Sequence, residues 1–154
     1  MSVFGVDGGG PRCRLALRHL GRRFDVKLGS ANATTDLKAT VATLQQGLQA
    51  LAQVADVPPD MLADTPAFIG LAGVTGRSIA DAVADALPLT NVRVEDDRRS
   101  AMVGALGSMD GCVMGIGTGS FFGRRSAGAD RLIGGWGLIL GDEASGAFIG
   151  RKLL

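Results

Sequence analysis

The chain has 154 residues, of which 46% are hydrophobic and 20% charged, and its formal net charge is +1. That composition excludes a disordered or fibrous chain, and so small a net charge gives no general attraction to nucleic acid or an anionic membrane, so any anion binding has to be local. No apolar run approaches the ~20 residues of a membrane helix, and the start MSVFGVDGGG lacks the basic region and long apolar stretch of a signal peptide, so a cytoplasmic globular domain is expected.

Residues 2–7 form a short apolar run ending in glycines, the pattern of a buried strand that stops at a tight loop. Two more runs, 13–20 and 24–28, flank a turn at Gly21, Arg22 and Arg23, and three neighbouring strands with short loops predict an antiparallel meander. From 35 to 55 the period changes: Leu37, Val41, Leu44, Leu48 and Leu51 fall at helical spacing, with Thr35 or Asp36 as the cap. Pro58 and Pro59 punctuate, and 67–72 is another short strand, ending at Gly73. Ile79, Val83 and Leu87 mark a second helix, with Pro88 just beyond it.

Residues 92–94 read as a strand, and Asp96 and Asp97 start a third helix that carries Met102, Val103 and Leu106. A buried strand at 112–116 runs into glycines, 121–124 and 131–133 form a hairpin, and 142–154 begins a last helix with Phe148, Ile149 and Leu153 on one side. Cys13 and Cys112 lie in apolar strand-like segments without CxxC spacing or a neighbouring histidine, so both are expected as buried, reduced thiols. The order implies an α/β fold with a mixed sheet: a three-stranded antiparallel meander, then alternating helices and strands. One domain is expected over residues 1–141, with 142–154 leading out of it.

The 24 glycines are about twice the usual share of roughly 7%, and they gather in short runs rather than in a repeat. The first run, Asp7, Gly8, Gly9, Gly10, Pro11 and Arg12, follows the first strand. Glycines let a phosphate approach backbone amides, Arg12 adds positive charge, and Asp7 can hold Mg²⁺ through water; the same residues would also make an ordinary hairpin turn. The second run, Gly117, Thr118, Gly119 and Ser120, offers amides and two hydroxyls, and the two loops are expected on one sheet, gripping a polyphosphate from both sides.

Glu95, Asp96, Asp97, Arg98 and Arg99 read either as a solvated first helical turn or as the source of a base for phosphoryl transfer. Gly134, Gly135, Trp136 and Gly137 precede Asp142; the ring of Trp136 either fills the core or faces a sugar, whose hydroxyls suit backbone groups and a bidentate carboxylate. Asn32 is a further polar candidate or a plain turn residue.

With these four elements in this order, the chain resembles the N-acetylglucosamine kinases and the related BadF/BadG/BcrA/BcrD-type ATPases of the actin-like ATPase superfamily. The likeness implies a ribonuclease H-like amino-terminal domain, with ATP and Mg²⁺ as cofactors and an amino sugar as substrate. It places the nucleotide phosphates on Gly8, Gly9, Gly10, Arg12, Gly117, Thr118, Gly119 and Ser120, and Mg²⁺ on Asp7. Asp97 becomes the catalytic base, and Asn32, Gly134, Gly135, Trp136 and Asp142 join Asp97 in contacting the sugar.

The same likeness implies a carboxy-terminal domain that holds adenosine, so this chain alone should lack an adenine pocket and turnover; a homodimer is a further expected partner. Three positions depart from the family pattern: Pro11 stands for threonine, Asp96 for asparagine, and Arg98 for a small residue. Pro11 removes an amide donor and a hydroxyl from the phosphate grip. Two other readings follow from the resemblance: a BadF-type ATPase activator, against which the scattered cysteines speak, and a degenerate domain that binds sugar without turnover.

Overall fold

The computed structural model describes all 154 residues, which divide into two compact units, Met1–Asp97 and Arg98–Leu154. The first unit contains β1 (Val3–Gly8), β2 (Cys13–His19), β3 (Arg22–Leu28), α1 (Leu37–Ala55), α2 (Pro59–Ala63), β4 (Ala67–Leu71), α3 (Arg77–Asp85) and β5 (Val92–Asp96). Its sheet has the order β3-β2-β1-β4-β5, antiparallel through the meander and parallel from β1 through β4 to β5. The expected meander followed by alternating helices and strands is therefore present, and the sheet is mixed.

Period-two alternation sets the inner face: Phe4 and Val6 of β1 and Cys13, Leu15 and Leu17 of β2 are buried, while Val3, Asp7, Arg14 and Arg18 are exposed. Asp36 caps α1 by accepting from the Ala39 amide at 2.9 Å, and Leu44, Leu48 and Leu51 are buried on the helix face toward β2 and β3. Gly47 is the point of close approach, since a Cβ there would stand 2.8 Å from methyls of Leu15 and Leu28. The β2–β3 turn consists of Leu20 and Gly21, at φ 49° and 77°, so Arg22 and Arg23 belong to β3 rather than to the turn. Helix α2 was not anticipated, although Pro59 in its first turn is a recognised start signal.

The second unit takes in the body of α4 (Asp97–Leu106), then β6 (Gly111–Ile116), β7 (Ser120–Ser126), β8 (Ala129–Gly134), α5 (Gly137–Leu140) and α6 (Gly146–Leu153). Its separate three-stranded sheet, β6-β7-β8, is antiparallel throughout. The topology repeats the opening of the first unit, with a glycine loop between the first two strands. On one face α4 seats the fully buried Met102 against Gly123 and Leu106 against Gly111. On the other, the register Met114, Phe122, Ile133 lines up three apolar side chains, of which Met114 is 66% and Ile133 62% exposed.

Several expectations change here. The two glycine loops do not share a sheet, because β1 belongs to the five-stranded sheet and β6 and β7 to the three-stranded one. Asp96 ends β5, so Asp97 alone starts the helix. Helix α6 begins at Gly146 behind a Ser145 cap, and the short α5 precedes it. Cys13 is fully buried, but Cys112 is exposed, because β6 carries it on the uncovered face with Met114. No helix is long and apolar enough to cross a membrane.

Burial, and secondarily the charge of Asp7, pushes the Cys13 thiol up from 9.0 to about 11. A raised thiol pKa stabilises the fold fully below the unfolded value and loses that contribution as pH rises toward the folded one. Stability should therefore fall between pH 9 and 11 by up to about 3 kcal/mol, and Cys13→Ser should flatten that part of a urea-melt profile against pH.

Candidate functional site

In the first unit the candidate residues gather at the carboxyl ends of the parallel strands, where open α/β sheets characteristically bind ligands. Strand register aligns Asp7, Gly70 and Glu95 on one row and Gly8, Leu71 and Asp96 on the next. Asp97 follows directly, two strand spacings or ~10 Å across the sheet from the β1 hairpin. Asp7 is exposed, with Arg14 beside it at 3.9 Å.

The three glycines of the hairpin have different reasons to be there. Gly8 is buried, and a Cβ on it would come within 2.3 Å of Leu71 Cδ2, so its smallness serves packing. Gly9 closes the turn, donating to the Arg12 carbonyl at 2.8 Å, while its own carbonyl accepts from the Ala31 amide. Gly10 has nothing within 4 Å of where its Cβ would be, and Arg12 is exposed. The open flank of the hairpin therefore consists of Gly10, Pro11 and Arg12, with Pro11 contributing no N–H.

Asn32 lies on the same edge, bridging to Ala72 just past β4. Its Oδ1 accepts from the amides of Thr34 at 3.1 Å and Thr35 at 3.2 Å, a side-chain turn that leaves the amide NH₂ as its offering to a ligand. Thr34 Oγ1 donates to the Gly73 carbonyl at 2.7 Å, and Gly73, at φ 82°, packs its Cα against this turn.

In the second unit Ser120 is the hub. Its amide donates to Asp142 Oδ1 at 3.1 Å, its hydroxyl to the Glu143 carbonyl at 2.7 Å, and its carbonyl accepts from the Gly135 amide at 2.9 Å. The start of α6 holds the loop from behind: the amides of Gly146 and Ala147 donate to the carbonyls of Gly117 and Thr118. Gly117 N–H is spent on Gly119 O, so the amides of Thr118 and Gly119 and the Thr118 hydroxyl are what the loop has to present outward. Gly117, Thr118, Gly119, Ser120, Gly134, Gly135 and Asp142 are thus brought together within this unit.

Trp136 does not fill the core: it is 71% exposed, at the head of α5. Two structural contributors escaped the sequence reading. Ser145, fully buried, caps α6 by accepting from Phe148 N at 3.1 Å, and Arg98 donates from Nη1 to the Gly134 carbonyl at 2.6 Å. A Ser before an apolar helical run is a readable capping signal; the reach of Arg98 to a carbonyl 36 residues away is not. Asp7 has no cluster of further ligands, since no group of three His, Cys, Asp or Glu side chains could hold a metal.

No protein-family model matches the chain. Among curated proteins it is 27% identical over 153 residues to glucosamine kinase GspK of Vibrio cholerae, an overlap of 97% of this chain and 52% of that protein. It is 28% identical over 158 residues to the N-acetylmuramic acid/N-acetylglucosamine kinase of Clostridium acetobutylicum, covering 99% of this chain and again 52% of the relative. The chain spans about half the length of the curated relatives it matches. Among solved structures, a protein assigned as an N-acetylglucosamine kinase from Chromobacterium violaceum superposes with a TM-score of 0.84 at 29% identity, over 98% of this chain and 54% of that one. A counterpart from Porphyromonas gingivalis gives 0.73 at 20% identity over the same shares, a likeness of fold alone. Amino sugar kinases are thus the relatives of this chain in sequence, and its α/β fold is that of actin-like sugar kinases.

Proposed function

We propose that this chain is one half of a cytoplasmic amino sugar kinase, which transfers the γ-phosphoryl group of ATP to a hydroxyl of glucosamine or N-acetylglucosamine. The observation that carries this reading is the edge formed by β1, β4 and β5, where a glycine hairpin, the Asn32 turn and Asp97 lie within reach of one small ligand. Relatives named as kinases of these sugars support the substrate class.

In this reading Asp97 accepts the proton of the sugar hydroxyl, whose oxygen bonds to the γ-phosphorus as the bond to the β–γ bridging oxygen breaks and ADP leaves. Gly10, Arg12, Thr118 and Gly119 supply donors to phosphate oxygens, and Gly8, Gly9, Gly117 and Ser120 shape the loops that present them. Asp7 holds Mg²⁺ through its hydration shell, and the ion supplies neutralisation of phosphate charge when bound. Asn32, Gly134, Gly135, Trp136 and Asp142 hold the sugar. Because Asp142 Oδ1 already accepts from Ser120 N, a sugar hydroxyl would find the remaining carboxylate lone pairs.

The other half belongs to the proposal as well. β6 is an open edge strand of a sheet whose Met114, Phe122 and Ile133 row is uncovered, and an open apolar edge is ordinarily closed by pairing or packing. The relatives have about as much chain again to provide it. The test is to join this chain to the carboxy-terminal remainder of the C. violaceum relative and measure ADP release with ATP, Mg²⁺ and glucosamine or N-acetylglucosamine. Sugar-dependent release, with Cys112 shielded from thiol reagents, is expected. Sugar binding without release would reassign the chain to a non-catalytic sugar-binding role, and self-association of the chain through the Cys112 face would put a second copy in place of the other half.

A further inference from the structure

We propose that Arg98 is a positioning residue that clamps the Gly134, Gly135, Trp136 loop in its ligand-receiving shape. What the loop receives rests on the amino sugar reading; the clamp itself does not.

Arg98 is the second residue of α4. Its Nη1 donates to the Gly134 carbonyl at 2.6 Å, a short bond from a charged donor. The guanidinium also lies against Gly135, where an added Cβ would stand 2.7 Å from Nη1, 3.1 Å from Cδ and 3.2 Å from Cζ. On the opposite side the Gly135 amide donates to the Ser120 carbonyl at 2.9 Å, and a Cβ on Gly134 would meet that same oxygen at 3.3 Å. The two glycines are therefore pinned from two directions, by Arg98 and by Ser120.

They need pinning. Both are left-handed, at φ 81° and 69°, and consecutive glycines have more conformations to leave than any other pair. Without the guanidinium the Gly134 carbonyl loses this bond and the segment is held from the Ser120 side alone. Trp136 comes next in the chain, is largely exposed, and depends on this segment for its direction. Arg98 also follows Asp97 in sequence, so the proposed base and the loop clamp are consecutive residues. Lysine could keep the charge and reach the carbonyl, but it could not lie flat on Gly135.

Trp136 is the only tryptophan, so its fluorescence reports this loop alone. In the 154-residue chain, Arg98→Ala should lower Trp136 anisotropy, increase acrylamide quenching and speed exchange of the Gly135 amide at least 10-fold, with circular dichroism unchanged. Arg98→Lys should recover part of each effect. N-acetylglucosamine titrated against Trp136 fluorescence should bind about 10-fold more weakly to Arg98→Ala, with Arg98→Lys between.

Native anisotropy and exchange in Arg98→Ala would overturn the clamp. Should Arg98→Ala fail to fold, Arg98→Lys decides: an intermediate loop signature supports the clamp, and a native one overturns it. A native chain whose Trp136 does not respond to the sugar sinks the sugar reading only, and the clamp is then judged by anisotropy and exchange.

Discussion

Asp97→Asn, placed in the chain joined to a carboxy-terminal half that restores turnover, is expected to lower kcat by about 10²- to 10⁴-fold while sugar affinity stays within a few-fold. Asparagine matches the carboxylate in size and keeps an acceptor oxygen for the substrate hydroxyl, but it cannot take up the proton. Position selects Asp97 over its neighbour. Asp96 closes β5 in register with Leu71 and, beyond it, Gly8, whereas Asp97 opens α4, one residue further past the strand end. Asp96→Asn should therefore leave kcat within a few-fold. A steady-state assay of both variants separates the assignments. If Asp96→Asn is the one that loses turnover, or if Asp97→Asn retains it, the base lies elsewhere.

The first unit was legible because its signals are local. Alternating buried and exposed positions in β1 and β2, and the helical spacing of Val41, Leu44, Leu48 and Leu51, each follow from which side meets the core. The second unit was less so. The run Gly-Cys-Val-Met-Gly-Ile in β6 looks like a strand covered on both faces, and nothing within six residues tells whether the second cover is present; that is why Cys112 and Met114 turn out exposed.

Sheet membership is likewise non-local, so two similar glycine loops suggested one sheet where there are two. The charged candidates show the same limit. An arginine in a first helical turn reads as solvated and a carboxylate before a helix as an acceptor for a sugar, yet Arg98 donates to a carbonyl 36 residues away and Asp142 accepts from an amide 22 residues away. Residue types marked the vicinity of these contacts. Only the meander brought the partners together.

Gly73→Ala should be the most damaging single methyl in the first unit. The new Cβ would stand 2.4 Å from Asn32 Oδ1, 2.6 Å from the Thr34 amide nitrogen and 2.7 Å from Thr34 Oγ1, all closer than real Cβ contacts come. Two of these atoms form the Asn32 turn, and the third donates to the Gly73 carbonyl, so a shift that relieves the clash breaks hydrogen bonds worth ~1 kcal/mol each. The left-handed φ of 82° adds ~1–2 kcal/mol for any residue with a Cβ.

Together these come to ~3 kcal/mol, a large share of the ~5–15 kcal/mol that holds a domain together, and a Tm lower by about 12–20 °C. Because the turn is what orients Asn32, weaker N-acetylglucosamine binding should accompany the loss even at temperatures where the variant stays folded. Gly76→Ala is the comparison, three residues along: nothing lies within 4 Å of its added Cβ and its φ of −179° suits any residue, so its cost is confined to a poorer N-cap for α3, ~0.5–1 kcal/mol. Calorimetric melts of the two variants decide the matter, since equal melting temperatures would mean that the crowding at Asn32 does not constrain the turn, and the route by which Gly73 would support the proposed sugar edge would fall with it.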